Sequence, residues 1–124
     1  MRSAKGFTLI ELLIVVVIIG ILVTIAIPKF QSVKEKAYIA SMQADLRNLV
    51  TAQEAYFSGS ATYSPTTTNL NYLITAGSTI TMSATATGWS ATATSIFTSK
   101  TCGIFIGTAT PPTGATVEGS PGCQ

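Results

Sequence analysis

Few residues in this chain could carry out chemistry. The sequence contains no histidine, and charged residues make up only 10% of its 124 residues. Histidine is the most frequent general acid or base in enzymes, and two cysteines without histidine cannot complete a four-ligand zinc site. From Ala55 onward the only charged side chains are those of Lys100 and Glu118. We therefore expect neither an enzyme nor a metal or cofactor site.

Glu11 is the one charge inside a long apolar stretch, residues 7–27. A carboxylate in hydrocarbon is costly unless it is paired or protonated. If the chain were cut after Gly6, Phe7 would carry a free α-amine that is largely protonated at neutral pH. Phe7 and Glu11 are four positions apart, so the two charges could pair within one chain or between neighbours. The alternative, a favourable helix-dipole position for Glu11, is worth only about 0.3 to 1 kcal/mol.

Residues 7–27 also have the length of a membrane-spanning helix. At about 1.5 Å per residue they span about 32 Å, close to the bilayer core of about 30 Å. Arg2 and Lys5 precede the stretch and would hold the N-terminus in the cytoplasm, with the remainder of the chain outside. A cleaved secretory signal peptide fits less well, because its apolar core is usually shorter. A plain membrane anchor fits the length but leaves Glu11 unexplained.

The net charge of +2 does not indicate nucleic-acid binding. Without Arg2 and Lys5, the positive and negative side chains are equal in number. The chain therefore has no basic stripe that could follow a phosphate backbone, and nucleic acid is disfavoured as a partner.

The sequence GFTLIEL at residues 6–12, followed by apolar residues and Pro28, resembles the N-terminus of bacterial type IV pilins. The pseudopilins of type II secretion systems share this pattern. The resemblance implies a leader of residues 1–6, which a prepilin peptidase removes by cutting after Gly6, and N-methylation of Phe7. It also implies that Glu11 pairs with the Phe7 amine of an adjacent subunit during assembly.

The apolar helix, residues 7–28, contains two residues that weaken helices. Gly20 has low helix propensity, and Pro28 lacks an N–H group and clashes with the preceding turn. A simple proline kink is one expectation. The resemblance implies another, namely that the segment from Gly20 to Pro28 loses regular helix when subunits pack into a filament.

A second, amphipathic helical segment is predicted for residues 29–58. Residues of one face recur at steps of three or four, with charged residues such as Asp45 off this stripe. The stripe consists of Ile39, Met42, Leu46, Leu49, Gln53 and Tyr56. Glycine readily adopts the left-handed cap conformation, so we expect the helix to end at Ser58-Gly59.

Residues 59–124 are rich in threonine and serine, and they predict a small antiparallel sheet. Residues 58–72 have the composition of a loop. Residues 79–86 alternate with apolar side chains at even positions, and residues 89–97 alternate at odd positions, ending at Phe97. Residues 102–108 predict a third strand. The expected fold class is α+β, with the long N-terminal helix packed on this sheet.

The two cysteines, Cys102 and Cys123, lie in the part of the chain predicted to be outside the cytoplasm, where a disulfide is permitted. The bond would close a C-terminal loop, residues 102–123, and stabilise it by about 3 kcal/mol in the chain-entropy model. The resemblance adds that such a loop is common in type IV pilins, whereas major pseudopilins usually carry an acidic calcium site. Glu118 is the only acid in this region, which favours a pilin.

The predicted function is that of a structural subunit of an extracellular type IV pilus, stored in the bacterial inner membrane before assembly. Its expected partners are further copies of itself, the prepilin peptidase, and the pilus assembly platform with its motor. Two alternatives stay open. One is a pseudopilin, and the other is a minor pilin that displays a surface- or DNA-binding loop.

Overall fold

The computed structural model describes residues 3–124, and the chain divides into two compact units at residue 34. Its elements in chain order are one α-helix, a 3₁₀ turn and four strands. We name them α1 (Leu9–Ser60), η1 (Thr67–Asn69), β1 (Ser78–Thr85), β2 (Gly88–Ser95), β3 (Thr98–Gly107) and β4 (Gly122–Cys123). The α+β fold predicted from the sequence is confirmed.

In the first unit, the described residues are the irregular segment 3–8 and the helical residues 9–34. Large apolar side chains project on every side of this helix and all of them are exposed, the least of them Val23 at 44%. A helix that is apolar all round requires lipid or other protein around it. Its length and hydropathy are sufficient to cross a membrane.

The second unit, residues 35–124, packs the amphipathic half of α1 against the sheet. The helix contributes Met42, Leu46 and Leu49, all completely buried, and the sheet contributes Trp89 and Ile104. These are positions of the predicted stripe and strand faces, so the periodicity of the sequence located the core correctly. Gln53 is also buried on this face and its side-chain amide bonds both the backbone N–H and the carbonyl of Ser64, at 2.9 and 2.7 Å.

The sheet is fully antiparallel, in the order β1-β2-β3-β4. β1 and β2 pair along their whole length, whereas a bulge interrupts the pairing of β2 with β3 beside Ser95. Cys102 and Cys123 face each other in register on β3 and β4 and form the predicted disulfide. The Glu118 carboxylate adds a second tie to the C-terminal loop, because it accepts a hydrogen bond from the backbone N–H of Gly107 at 2.6 Å.

Several local features differ from the expectations. α1 ends at Ser60 instead of Ser58-Gly59, and Ala61 takes the left-handed conformation predicted for Gly59. β4 was not predicted, because two residues carry no periodicity. The third strand begins at Thr98 instead of Cys102.

Another difference concerns Phe97, which was expected to continue the alternating pattern of the second strand. It lies in the turn between β2 and β3, is 53% exposed, and stacks on Tyr38 of α1 at 4.9 Å between ring centroids. The ring also lies over Gly77, whose φ is +86°, and a Cβ at Gly77 would collide with it. Contact with the helix therefore positions Phe97 outside the strand.

Asp45 was expected off the buried face, but only 4% of it is exposed. Its carboxylate accepts hydrogen bonds from the Thr75 hydroxyl at 2.8 Å and from the Thr75 backbone N–H at 3.2 Å. The Tyr72 hydroxyl donates to the Asp45 backbone carbonyl at 2.6 Å. Asp45 is buried because these polar contacts compensate for its lost hydration, and it anchors the loop before β1 on the helix.

This anchor predicts an alkaline loss of stability. Burial, and secondarily the charge of Asp45, raise the pKa of Tyr72 above its ordinary value of 10.0. Above pH 10 the unfolded chain therefore loses this proton before the folded chain does. The contribution is complete below the unfolded pKa and disappears as the pH rises through the folded pKa. Thermal unfolding of the full chain in detergent should show a midpoint that falls above pH 10.

The control for this prediction is Tyr72→Phe. Its thermal midpoint at pH 7 is expected to be lower than that of wild type, and relative to that value the midpoint should fall less steeply above pH 10. Equal slopes for the two proteins would contradict the assignment to Tyr72.

Candidate processing and assembly site

The bond between Gly6 and Phe7 lies in an exposed segment without regular structure, directly before α1. Phe7 is 91% exposed, and no heavy atom lies within 4 Å of the position that a Cβ on Gly6 would take. Exposed, irregular backbone is the kind of substrate that peptidases cut. The predicted cleavage position is therefore accessible. Arg2, the other basic residue of the predicted leader besides Lys5, lies outside the described residues.

Thr8 and Glu11 together cap the N-terminus of α1. Glu11 Oε2 accepts hydrogen bonds from the Thr8 backbone N–H and from the Thr8 hydroxyl, both at 2.8 Å. In return, the Glu11 backbone N–H donates to Thr8 Oγ1 at 3.3 Å. This reciprocal arrangement is a capping box, which satisfies backbone N–H groups that have no partner within the helix. It begins α1 at Leu9 rather than at Phe7.

The sequence reasoning missed this role of Glu11, although the signal was available. A threonine followed three residues later by a glutamate, just before an apolar run, predicts a capping box. The cap uses only one carboxylate oxygen. Within residues 3–124, Oε1 of Glu11 accepts no hydrogen bond. One chain therefore presents a carboxylate that the cap holds through one oxygen, with the other oxygen still available to a cationic donor.

Further along the helix, three helix-weakening features follow one another at intervals of four residues. Gly20 and Pro28 are those named from the sequence, and between them Thr24 donates its hydroxyl to the Ile21 carbonyl at 2.7 Å. Such side-chain bonds to the backbone compete with the helical ladder. α1 nevertheless runs through all three without interruption. The predicted loosening between Gly20 and Pro28 stays a prediction about the assembled state.

Comparison with known proteins identifies the pattern around this site. The profile of the family described as "Prokaryotic N-terminal methylation motif" matches residues 1–27, which include Gly6, Phe7 and Glu11. Part of the chain is similar to bacterial type IV pilins. It is 48% identical over 60 residues to the type IV major pilin protein PilA of Myxococcus xanthus, covering 48% of this chain and 27% of that one.

Two further relatives show the range of the pilin similarity. The fimbrial protein of Pseudomonas aeruginosa is 47% identical over 55 residues, which are 44% of this chain and 36% of the relative. The type II secretion system core protein G of Klebsiella pneumoniae is 35% identical over 78 residues, which are 63% and 56% of the two chains. The chain thus spans between about a quarter and just over a half of the length of these relatives.

Proposed function

We propose that the chain is a structural subunit of an extracellular type IV pilus. It is stored in the bacterial inner membrane with its N-terminus in the cytoplasm, cut after Gly6, N-methylated at Phe7 and polymerised through its apolar helix. The observation that carries the proposal is Glu11, a charged residue in an apolar helix with one carboxylate oxygen unoccupied, four residues from a cleavable bond. The similarity to a type IV major pilin protein and to a fimbrial protein supports the same proposal.

Cleavage creates a positively charged group that could pair with the Glu11 carboxylate. Cutting the Gly6–Phe7 bond creates an α-amine that is largely protonated at neutral pH, and N-methylation leaves it basic. In an apolar surrounding, a paired carboxylate and ammonium are far less costly than either charge alone. Pairing the Glu11 Oε1 of one subunit with the Phe7 amine of a neighbour would also fix the axial offset between two helices. The uncleaved chain cannot make this pair.

The exposed apolar surface of residues 7–27 would then form the core of the filament. Before assembly this surface is covered by lipid, so its transfer into the filament gains little from the hydrophobic effect. Side-chain packing between helices and the Glu11 pair must provide specificity, and the assembly motor supplies work. A contact that joins different surfaces of successive copies does not close on itself and produces a fibre. Loosening from Gly20 to Pro28 would let the helices adapt their packing.

A pseudopilin of a type II secretion system is the second candidate, supported by the similarity to the secretion core protein G. The C-terminal region favours a pilin, because its only acid is Glu118 and a disulfide closes the loop. Calcium binding requires six to eight oxygen ligands. The resemblance implies an acidic calcium site for major pseudopilins, and one acid falls short of it. The prepilin peptidase and an assembly platform with its motor are the proposed partners in either case.

The experiment that tests the proposal is mass spectrometry of fibres sheared from cells that express the chain. We expect this chain to be the principal protein of the fibres, beginning at Phe7 with one added methyl group. Fibres that contain it only in trace amounts would contradict the structural-subunit proposal and indicate a minor pilin. Absence from surface fibres, with the processed chain retained at the cell envelope, would indicate a pseudopilin.

Replacement of Gly6 with alanine should strongly reduce processing. The structure leaves open space for the added methyl group, so the chain itself tolerates the change and the loss reports on recognition by the peptidase. The measurement is the ratio of precursor to mature chain on gels of membrane fractions. Ser3→Ala in the same exposed segment is the matched control and should be processed normally. Normal processing of Gly6→Ala would contradict the assigned cleavage site.

A further inference from the structure

The outer edge of β1 is an open end of the sheet. β1 pairs with β2 along all eight residues in an unbroken register, and it is the last strand on that side. Among residues 3–124, the backbone hydrogen bonds outside helices and strands reach β1 only at Ser78, whose N–H donates to the Thr75 carbonyl. The N–H and C=O groups along the outer side of residues 79–85 are therefore available for pairing.

β1 also lacks the features that usually prevent pairing at sheet edges. Proteins block exposed edges with charged side chains, proline, bulges or very short strands. β1 has the sequence STITMSAT, which contains no charge, no proline and no glycine, and it runs for eight residues without a bulge. Its threonine and isoleucine residues favour extended backbone. Such a strand accepts another strand readily.

The two faces of β1 differ in polarity, and this restricts the strands that could pair with it. The face turned away from the helix, called the outer face, carries three exposed hydroxyl side chains, Thr79, Thr81 and Ser83. The face toward the helix carries Ile80 and Met82, which are only half-buried. Ile80 and Met82 line an open groove whose other wall is formed by Pro65, Thr66 and Thr67. A strand added at this edge would cover the two apolar side chains if it brought apolar residues of its own.

We propose that the outer edge of β1 pairs antiparallel with β1 of a second copy of this chain. A two-fold axis perpendicular to the sheet at Thr81 places Thr79 opposite Ser83 on the outer face. The same axis places Ile80 opposite Met82 on the helix face. Hydroxyl groups thus meet hydroxyl groups and apolar side chains meet apolar side chains, as in favourable cross-strand pairs. No charge repels the second copy, and both strands offer the same number of residues.

The symmetry of this contact determines its type. A two-fold axis perpendicular to the sheet reverses the direction of the helical segment that packs on each sheet, and both copies contribute the same surface. An interface between copies of this kind is isologous. Resting on the proposed function, the inference adds a contact between sheets to the contacts between apolar helices.

The test is hydrogen exchange of the full chain in detergent, measured by mass spectrometry over a range of concentrations. Exchange of β1 amides should slow with rising concentration, by about tenfold when nine-tenths of the chains are paired, since exchange proceeds through the unpaired fraction. Amides of α1 at the core should not change. Exchange in β1 that is independent of concentration would overturn the proposal.

Charge substitution at Thr81 makes the test specific. Thr81→Lys and Thr81→Glu should each lose the concentration dependence, because like charges would face each other across the axis. An equal mixture of the two variants should regain it. Thr94→Lys is the matched control: Thr94 is exposed on the same sheet, but on the interior strand β2, and this variant should behave as wild type. Loss of the effect in Thr94→Lys, or no rescue in the mixture, would overturn pairing through β1.

A peptide with the sequence of residues 78–85, added to dilute chain, should protect β1, whereas a scrambled peptide of the same composition should not. Equal protection by both peptides would overturn self-pairing, because it would show that the edge of β1 binds extended peptides regardless of their sequence. These measurements require no filament, so they remain decisive if the proposed pilus function fails.

Discussion

Replacement of Glu11 with glutamine is expected to abolish filament assembly while leaving the start of α1 and membrane insertion unchanged. Glutamine can make the same two hydrogen bonds to Thr8 that Glu11 makes, so the capping box persists. It removes the negative charge that is proposed to pair with the Phe7 amine of a neighbour. We expect surface fibres to fall by at least about a hundredfold, which corresponds to the loss of about 2.7 kcal/mol for one buried charge pair. The measurement is the amount of chain in sheared fibres relative to the membrane fraction.

The matched control for this prediction is Thr8→Ala, which removes the two hydrogen bonds of the Thr8 hydroxyl and keeps the charge of Glu11. This variant should fray the first turn of α1, at a cost of about 1 kcal/mol, and still assemble into fibres. Together the two variants separate capping from pairing. Normal assembly of Glu11→Gln combined with failure of Thr8→Ala would show that the helix start, and not the charge, is what assembly requires.

Removal of the disulfide is expected to have the largest effect on stability. Cys102 and Cys123 are 21 positions apart, and closing a loop of this length stabilises the folded chain by about 3 kcal/mol in the chain-entropy model. For a unit of this size, such a loss lowers the thermal midpoint by roughly 15 °C. The measurement is thermal unfolding of the full chain in detergent, comparing wild type with Cys102→Ala/Cys123→Ala.

In the double alanine variant, we expect the C-terminal loop to lose stability before the rest of the second unit does. Apart from the disulfide, the ladder between β3 and β4 ends in two backbone hydrogen bonds between Thr101 and Gln124, at 2.9 and 3.1 Å. Amides of the C-terminal loop should therefore exchange faster in the double alanine variant, while amides of Leu46 and Leu49 keep their protection at low temperature. A midpoint that is the same in both proteins would contradict the stabilising role of the bond.

The sequence was sufficient to predict the parts of the fold that repeat. The helical stripe through Met42, Leu46 and Leu49 and the alternation around Ile80 and Trp89 each extend over several turns or residue pairs. Periodic patterns of this length determine which face is buried. The disulfide was also predictable, because the chain has only two cysteines.

The features that sequence reasoning placed incorrectly depend on single contacts between distant segments. Asp45 is buried because Thr75, 30 residues later, supplies two hydrogen bonds to its carboxylate. Phe97 lies in a turn, where its ring stacks on that of Tyr38 on the helix. β4, which was missed, pairs with β3 where Cys123 is bonded to Cys102. Propensity and periodicity contain no information on such pairs, which arise only when the chain is folded.

The candidate site stays a prediction, and it could be proposed from the sequence because its residues are neighbours in sequence. Gly6, Phe7 and Glu11 fall within one short motif whose chemistry follows from the residue types. The capping box was the missing element, and it changes the account of Glu11. The side chain has a structural partner before assembly, and the proposed charge pair uses the oxygen that the cap leaves open.

The proposed pairing of Glu11 with a neighbouring N-terminus is tested most directly by electron cryomicroscopy of native filaments at side-chain resolution. The account predicts that the Phe7 nitrogen of one subunit lies about 3 Å from Glu11 Oε1 of the adjacent subunit, within hydrogen-bond distance. Subunits that still begin with Met1, or Glu11 carboxylates that point away from every neighbouring Phe7 amine, would contradict it.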